Sequence, residues 1–228
     1  MQRVICRYRK DIDASALSFA EVRAALQTAA REAGLPLNDE RRAVLMGPPL
    51  PPGATSEDER ILFELTEPRD PSAVCRVMNE HLPAGLLMEA AWIAQPGSPD
   101  ENPGQLDLAI YVIEWTNPPA FAEFSARVRD FFASAEVPLV RIREKKTQRL
   151  NARAFVRDLR MLGGRTNPLR LQLTLTVGSH GSLRPDEVLQ ALGYVPDAGD
   201  VRVHRVALHP SSWRAFRLAQ AAQRRSQT

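Results

Sequence analysis

Hydrophobic residues in the first 95 positions switch between the spacing of a strand and the spacing of a helix in a fixed order. The stretch 3–9 alternates with a period of two, which predicts a strand with Val4, Cys6 and Tyr8 on its core face. Helical spacing follows at 19–33 and 71–82, and further strands are predicted near 43–46, 61–65 and 86–93. The order β-α-β-β-α-β is that of a ferredoxin-like unit.

The second half of the chain repeats this order after a stretch rich in proline and glycine, which predicts a linker at 96–104. Strands are predicted at 106–114, 139–145, 169–177 and 201–208, and helices at 117–135 and 185–192. The stretch 152–162 fits either a strand or a helix. We therefore expect an α+β protein of two tandem ferredoxin-like (βαββαβ) domains, 1–95 and 105–209, and a basic tail, 210–228, that forms a short C-terminal helix.

Two helix starts carry local signals that fix them independently of hydrophobic spacing. Ser18 followed by Glu21 is a capping-box pattern. Asp70 followed by Pro71 combines an N-cap residue with proline in the first helical position. We expect helices to begin at both places.

Positive charge is concentrated in one segment of the chain. The net charge of the 228 residues is +3, yet residues 141–170 contain ten Lys or Arg and only two acids, Glu144 and Asp158. Such asymmetry predicts a surface that attracts polyanions, with the remainder of the chain neutral or acidic.

The basic residues recur at strand spacing, which predicts rows on a common face. Arg141, Arg143 and Lys145 are two residues apart, and a similar row begins in the first domain. Since the helices of a ferredoxin-like unit cover one side of its sheet, we expect these rows on the open side. The predicted nucleic-acid contacts are Arg7, Arg9, Arg141, Arg143, Lys145, Lys146, Arg149 and Arg153. A solvated face whose arginines pair with local acids remains an alternative.

Several function classes find no support in the sequence. Cys6 and Cys75 form no CxxC pair, and the four histidines lack metal-ligand spacing, so we expect no metal and no cofactor. No stretch approaches the roughly 18 apolar residues of a membrane span, and the charged N-terminus is unlike a signal peptide, which predicts a cytoplasmic protein. Glu64, Asp107 and Glu114 lie on predicted strands but form no acid–base pair.

Short segments with a fixed order connect the chain to a known family. They are REAGLP at 31–36, GPPLPPG at 47–53, ILFELTEP at 61–68, KTQRLNARAFV at 146–156, GSHGSLRPDEVLQAL at 178–192 and HRVAL at 204–208. Together they resemble the bacterial radical-SAM-linked proteins, a domain of unknown function. The chain resembles a divergent member, because DASALSF at 13–19 and NDERRAVL at 38–45 replace histidine- and asparagine-containing stretches of the family, and Asn151 stands at an aspartate position.

The resemblance implies association with a radical-SAM enzyme. These 228 residues contain no CxxxCxxC motif for the iron–sulfur cluster of such an enzyme, so the implied role is that of a companion. We predict a non-catalytic protein that binds RNA or a ribonucleoprotein. Two alternatives remain open: an RNA-modifying enzyme with a cleft carboxylate and a pseudouridine-synthase-like architecture, and a protein–protein adaptor that docks through Trp213 and Phe216.

Overall fold

The computed structural model describes most of the chain as two compact units. The described residues are 1–38, 44–98, 101–143, 146–162, 169–178, 181–195, 197 and 199–211, and of Arg143 and Leu169 only the backbone is described. Unit 1 contains Met1–Leu108 and the chain from Ala207 onward, and unit 2 contains Ala109–Val206.

Unit 1 is an antiparallel sheet with two helices. Its strands are β1 (Gln2–Lys10), β2 (Val44–Met46), β3 (Thr55–Leu65) and β4 (Leu86–Ile93), and its helices are α1 (Phe19–Glu32) and α2 (Pro71–Asn79). β1 lies between β4 and β3, and β2 pairs with the C-terminal half of β3. The strand order is therefore β4-β1-β3-β2.

Both helices of unit 1 begin where the local signals predict. The Ser18 hydroxyl accepts a hydrogen bond from the Glu21 N–H, and the Glu21 carboxylate accepts one from the Ser18 N–H, which completes the capping box. Asp70 caps α2 by accepting from the Ala73 N–H. α2 ends at Asn79, three residues before the predicted end, and the Asn79 amide bonds to the backbone of Met88 on β4.

The core of unit 1 lies between the helices and one face of the sheet. Val4, Cys6 and Tyr8 of β1 belong to it, as the alternation predicts. On the opposite face, Ile5 and its register partner Leu62 are also fully buried. The middle of that face is therefore covered, although the sequence predicted an open basic face there.

Unit 2 contains four neighbouring strands of the main sheet and a separate two-stranded sheet. Its elements are β5 (Leu108–Trp115), α3 (Phe121–Ala133), β6 (Pro138–Arg143), β7 (Lys146–Asn151), β8 (Val156–Leu162), β9 (Leu169–Thr176), α4 (Pro185–Ala191) and β10 (Val201–His209). The main strands follow the order β10-β5-β9-β8, and among the strands that the structure describes β6 and β7 pair only with each other. The β10 strand continues into unit 1 at Ala207.

The separate pairing of β6 corrects one prediction. The sequence predicted 139–145 as a strand of the main sheet and left 152–162 undecided. In the structure the main-sheet position belongs to β8, and β6 forms a hairpin with β7. Alternation specifies an extended backbone with two faces but carries no information on which strand will be its neighbour.

The described residues form a mixed α+β structure with four α-helices and a mostly antiparallel sheet. Within these residues no helix combines the length and apolarity needed to cross a membrane. The predicted C-terminal helix, including Trp213 and Phe216, lies outside the described residues.

Candidate nucleic-acid interface

The strands β6 and β7 form a hairpin, residues 138–151, that we call the basic hairpin. In sequence it contains five basic residues and one acid. Residues that pair directly across it share a face, so Arg141 lies on one face with Gln148, while Val140 lies on the other with Arg149. The hairpin thus has two faces of different composition.

The Arg141 face of the hairpin is attached to α4 by a buried ion pair. The Arg141 Nε and Nη2 donate to the two carboxylate oxygens of Glu187 at 2.6 and 2.7 Å. Nη2 also donates to the Ser182 carbonyl at 2.6 Å. Because the side chains of Arg141 and Glu187 are only 10% and 6% exposed, the Arg141 guanidinium is committed to this contact and is withdrawn from solvent.

Glu187 is held in its charged form at this site. Burial acts to raise the pKa of its carboxyl group, but hydrogen bonds from Arg141 and from the Arg184 N–H outweigh burial and lower the pKa below the ordinary value. The acid occupies the first turn of α4, where the helix dipole also favours negative charge. The ion pair is therefore intact at neutral pH.

The other strand of the hairpin is open to solvent. Lys146, Thr147, Gln148 and Arg149 are all exposed. Among the residues that the structure describes, neither Lys146 nor Arg149 contacts an acidic side chain. Opposite β7, Val140 and Ile142 are 50% and 74% exposed. The open surface therefore combines cationic, polar and β-branched apolar side chains.

The base of the hairpin is tied by Asn151. Its side-chain oxygen accepts hydrogen bonds from the Val137 and Arg153 N–H groups, and its Nδ2 donates to the Ala135 carbonyl. Arg153 lies 4.8 Å from the Phe132 ring centre and donates to the Val156 carbonyl. Through these contacts Asn151 and Arg153 stabilise the point where the hairpin joins the rest of unit 2.

The arginines of β1 are paired with acids. Arg3 Nη1 lies 2.9 Å from Glu101 Oε1, and its Nε lies 3.7 Å from Glu64 Oε1. Arg7 Nε is 3.4 Å from a Glu89 oxygen, and Arg9 lies 3.0 Å from Asp11 and 3.8 Å from Glu89. This row is therefore neutralised by acids of unit 1, unlike the open strand of the basic hairpin.

The eight predicted contact residues thus separate into distinct groups. The structure brings Arg141, Lys146 and Arg149 together on the basic hairpin and places Arg153 just after it. Arg143 ends β6 opposite Lys146, Lys145 lies outside the described residues, and Arg7 and Arg9 belong to β1 of unit 1. Sequence analysis missed Glu187, whose one signal was an acid in the first turn of a predicted helix.

The carboxylates considered for acid–base chemistry have partners of their own. Glu64 pairs with Arg3, Glu114 lies 2.6 Å from Arg170 Nε, and Asp107 accepts from the Ser211 N–H. No cluster of three or more metal-ligating side chains occurs in the described part of the chain.

Comparison with solved structures finds distant similarity. One match is to a chain of a Cbf5-Nop10-Gar1 complex, at 10% identity and a TM-score of 0.47, covering 90% of this chain and 48% of that one. Another is to the archaeal box H/ACA sRNP Nop10-Cbf5 complex, at 10% identity and a TM-score of 0.45, covering 91% and 48%. A third is to an H/ACA RNP bound to a substrate RNA, at 10% identity and a TM-score of 0.44, covering 90% and 47%.

This chain spans about half the length of the chains that it matches, and the TM-scores are too low to carry an argument about function. No curated protein matches the sequence. A family model matches residues 3–185, which is most of the chain. The chain therefore belongs to the family described as "Uncharacterized protein conserved in bacteria (DUF2344)".

Proposed function

We propose that this protein is a non-catalytic companion of a radical-SAM enzyme and binds RNA or a ribonucleoprotein through the basic hairpin. The observation that carries the binding proposal is the open strand β7, where Lys146 and Arg149 are exposed and contact no acid among the described residues. Cations without local partners can exchange their counterions for phosphates, and the released counterions provide the driving force.

The position of the two cations favours an extended polyanion over a small anion. Lys146 and Arg149 are three residues apart on β7, which corresponds to about 10 Å along the strand, and an odd spacing places them on opposite faces. A single phosphate cannot contact both groups at that separation. A nucleic-acid backbone that crosses the edge of the hairpin can contact each with a different phosphate.

Single-stranded RNA matches the rest of the surface better than a duplex does. Val140 and Ile142 are exposed beside Arg149 and Thr147, so apolar area is available for the faces of unstacked bases. A duplex presents mainly phosphates and sugars and would leave this apolar area in water.

The strand orders support an architecture for the whole chain. In unit 1 the order β4-β1-β3-β2, with one helix after β1 and another after β3, supports a ferredoxin-like unit. In unit 2 the order β10-β5-β9-β8 repeats it if the basic hairpin is an insertion between α3 and β8. We propose two tandem ferredoxin-like units, the second of which carries an inserted arm.

The radical-SAM part of the proposal rests on the six ordered segments in the sequence. Co-purification of the tagged protein from a native bacterial lysate, with and without nuclease, tests it. Recovery of a radical-SAM protein is the expected result, and its absence under both conditions would contradict the companion role.

RNA binding is tested by fluorescence anisotropy with a labelled single-stranded RNA of about 20 nucleotides at several salt concentrations. We expect Lys146→Gln with Arg149→Gln to weaken binding about tenfold or more and to reduce the slope of log K against log salt by about 1.4, since each phosphate contact contributes about 0.7. The matched control is Arg23→Gln with Arg129→Gln, which removes the same charge from exposed positions on α1 and α3. Equal effects of the two double variants would reject the hairpin as the binding surface.

A further inference from the structure

The described residues show where the basic hairpin is attached to the rest of unit 2. Asn151 ties its base, where Leu139 is also buried, and the Arg141–Glu187 ion pair joins the middle of β6 to the first turn of α4. A two-stranded hairpin on its own is marginally stable in water. Its orientation therefore depends on such contacts, and among those described the ion pair, with the Arg141 bond to the Ser182 carbonyl, lies beyond the base.

Resting on the proposed function, we propose that Arg141 and Glu187 are positioning residues that hold the basic hairpin in one orientation for RNA. In this arrangement Arg141 does not itself contact phosphate. Its guanidinium already makes two hydrogen bonds to Glu187 and one to the Ser182 carbonyl. A phosphate would have to displace these short, buried contacts, which desolvate both charges.

The Arg141–Glu187 contact suits a positioning role because it fixes the relative orientation of the two side chains as well as their distance. Two parallel N–H···O bonds fix the plane of the guanidinium relative to the carboxylate. The Arg184 N–H donates to Glu187 Oε2 at 2.8 Å, so the acceptor is fixed in turn by the start of α4. A hairpin held in this way presents Lys146 and Arg149 in a defined arrangement, which lowers the ordering cost of binding.

A positioning role and simple electrostatics predict opposite effects on RNA affinity when Glu187 is neutralised. Removal of a negative charge near a cationic surface should strengthen the attraction of RNA. If Glu187 positions the hairpin, its neutralisation should instead weaken binding. Whether the Kd for RNA rises or falls therefore separates the two explanations.

The test compares Glu187→Gln with Asp186→Asn in the full chain, by anisotropy with the same single-stranded RNA. Both substitutions remove one negative charge from the first turn of α4, but Asp186 is exposed and pairs only with Arg184 among the described residues. We expect Glu187→Gln to raise the Kd about fivefold to tenfold, whereas Asp186→Asn leaves it within twofold or lowers it. A third variant, Arg141→Lys, keeps the charge but cannot make the two-pronged contact, and it should also weaken binding.

Amide hydrogen exchange provides the readout that does not depend on RNA. We expect Glu187→Gln to accelerate exchange in 138–151 more strongly than in β5 and β9. Equal acceleration in all strands would indicate general destabilisation alone and overturn a positioning role. Wild-type RNA binding that survives Glu187→Gln unchanged would overturn this inference alone, whereas failure of the wild-type protein to bind RNA would overturn the proposed function and this inference with it.

Discussion

Two basic regions of this protein, the strand β1 and the basic hairpin, have different electrostatic surroundings. β1 carries Arg3, Arg7 and Arg9, and each of them lies within 4 Å of an acid in unit 1. In the basic hairpin, Arg141 is buried in an ion pair, but Lys146 and Arg149 contact no acid in the described part of the chain. β1 is a central strand with neighbours on both sides that can supply acids, whereas among the described strands β7 pairs only with β6.

The comparison shows that the surroundings of a strand decide what its basic residues can do. In a central strand, the partners on each side can supply acids that turn a row of arginines into an ion-paired surface. A strand with one neighbour has fewer such partners, so its cations can be available to an outside ligand. Four experiments test this contrast, beginning with the one that should produce the largest change.

Truncation of Arg141 should cost far more stability than truncation of Arg3. Arg141→Ala leaves the Glu187 carboxylate buried without its partner, and we expect the unfolding free energy to fall by about 3 kcal/mol. The Arg3 pairs are about one-third exposed, so Arg3→Ala should cost less than about 1 kcal/mol. Urea denaturation followed by circular dichroism measures both, and equal losses would remove the distinction.

RNA affinity should distinguish the hairpin from β1. Lys146→Gln with Arg149→Gln should weaken binding of single-stranded RNA by about 10- to 100-fold, whereas Arg7→Gln with Arg9→Gln should change it by less than about twofold. The β1 arginines are already neutralised by Glu89 and Asp11. A larger effect from the β1 variant would transfer the proposed interface to unit 1.

The buried side of β1 can be tested through its cysteine. Hydrogen bonding with Cys75, together with burial, raises the pKa of Cys6, while the hydrogen bond from Cys6 lowers the pKa of Cys75 on α2. At neutral pH we therefore expect iodoacetamide to modify Cys75 at least about tenfold faster than Cys6. Mass spectrometry of the labelled native protein measures the two rates. Comparable rates would show that the core side of β1 opens readily.

The smallest effect should be the pH dependence of the hairpin attachment. Because the folded-state pKa of Glu187 is lowered, the stability that it contributes is present in full above the ordinary glutamate value of about 4.3 and is lost as the pH falls through the lower folded-state value. The stability difference between the wild-type protein and Glu187→Gln should be constant near neutral pH and should shrink only in acid. A difference that disappears near pH 6 would contradict the ion pair.

Local signals made part of the fold predictable. The capping box at Ser18 and Glu21 and the Asp70-Pro71 start fix two helices through contacts within a few residues, and the structure confirms both. Of the predicted strand 139–145, the described residues 139–143 are extended as predicted, but the predicted membership of the main sheet was wrong. Extended segments are interchangeable until packing selects their partners, so the sequence could not separate β6 from β8.

The sequence alone determined the order of the elements in the first 95 residues and the concentration of positive charge in 141–170. Tertiary structure decided which arginines of the described residues meet an acid. Arg141 meets an acid 46 positions away, and Arg3 meets one 98 positions away. Ion pairs depend on distances of a few ångströms in space, and no local pattern encodes which distant acid the folded chain will bring within that range.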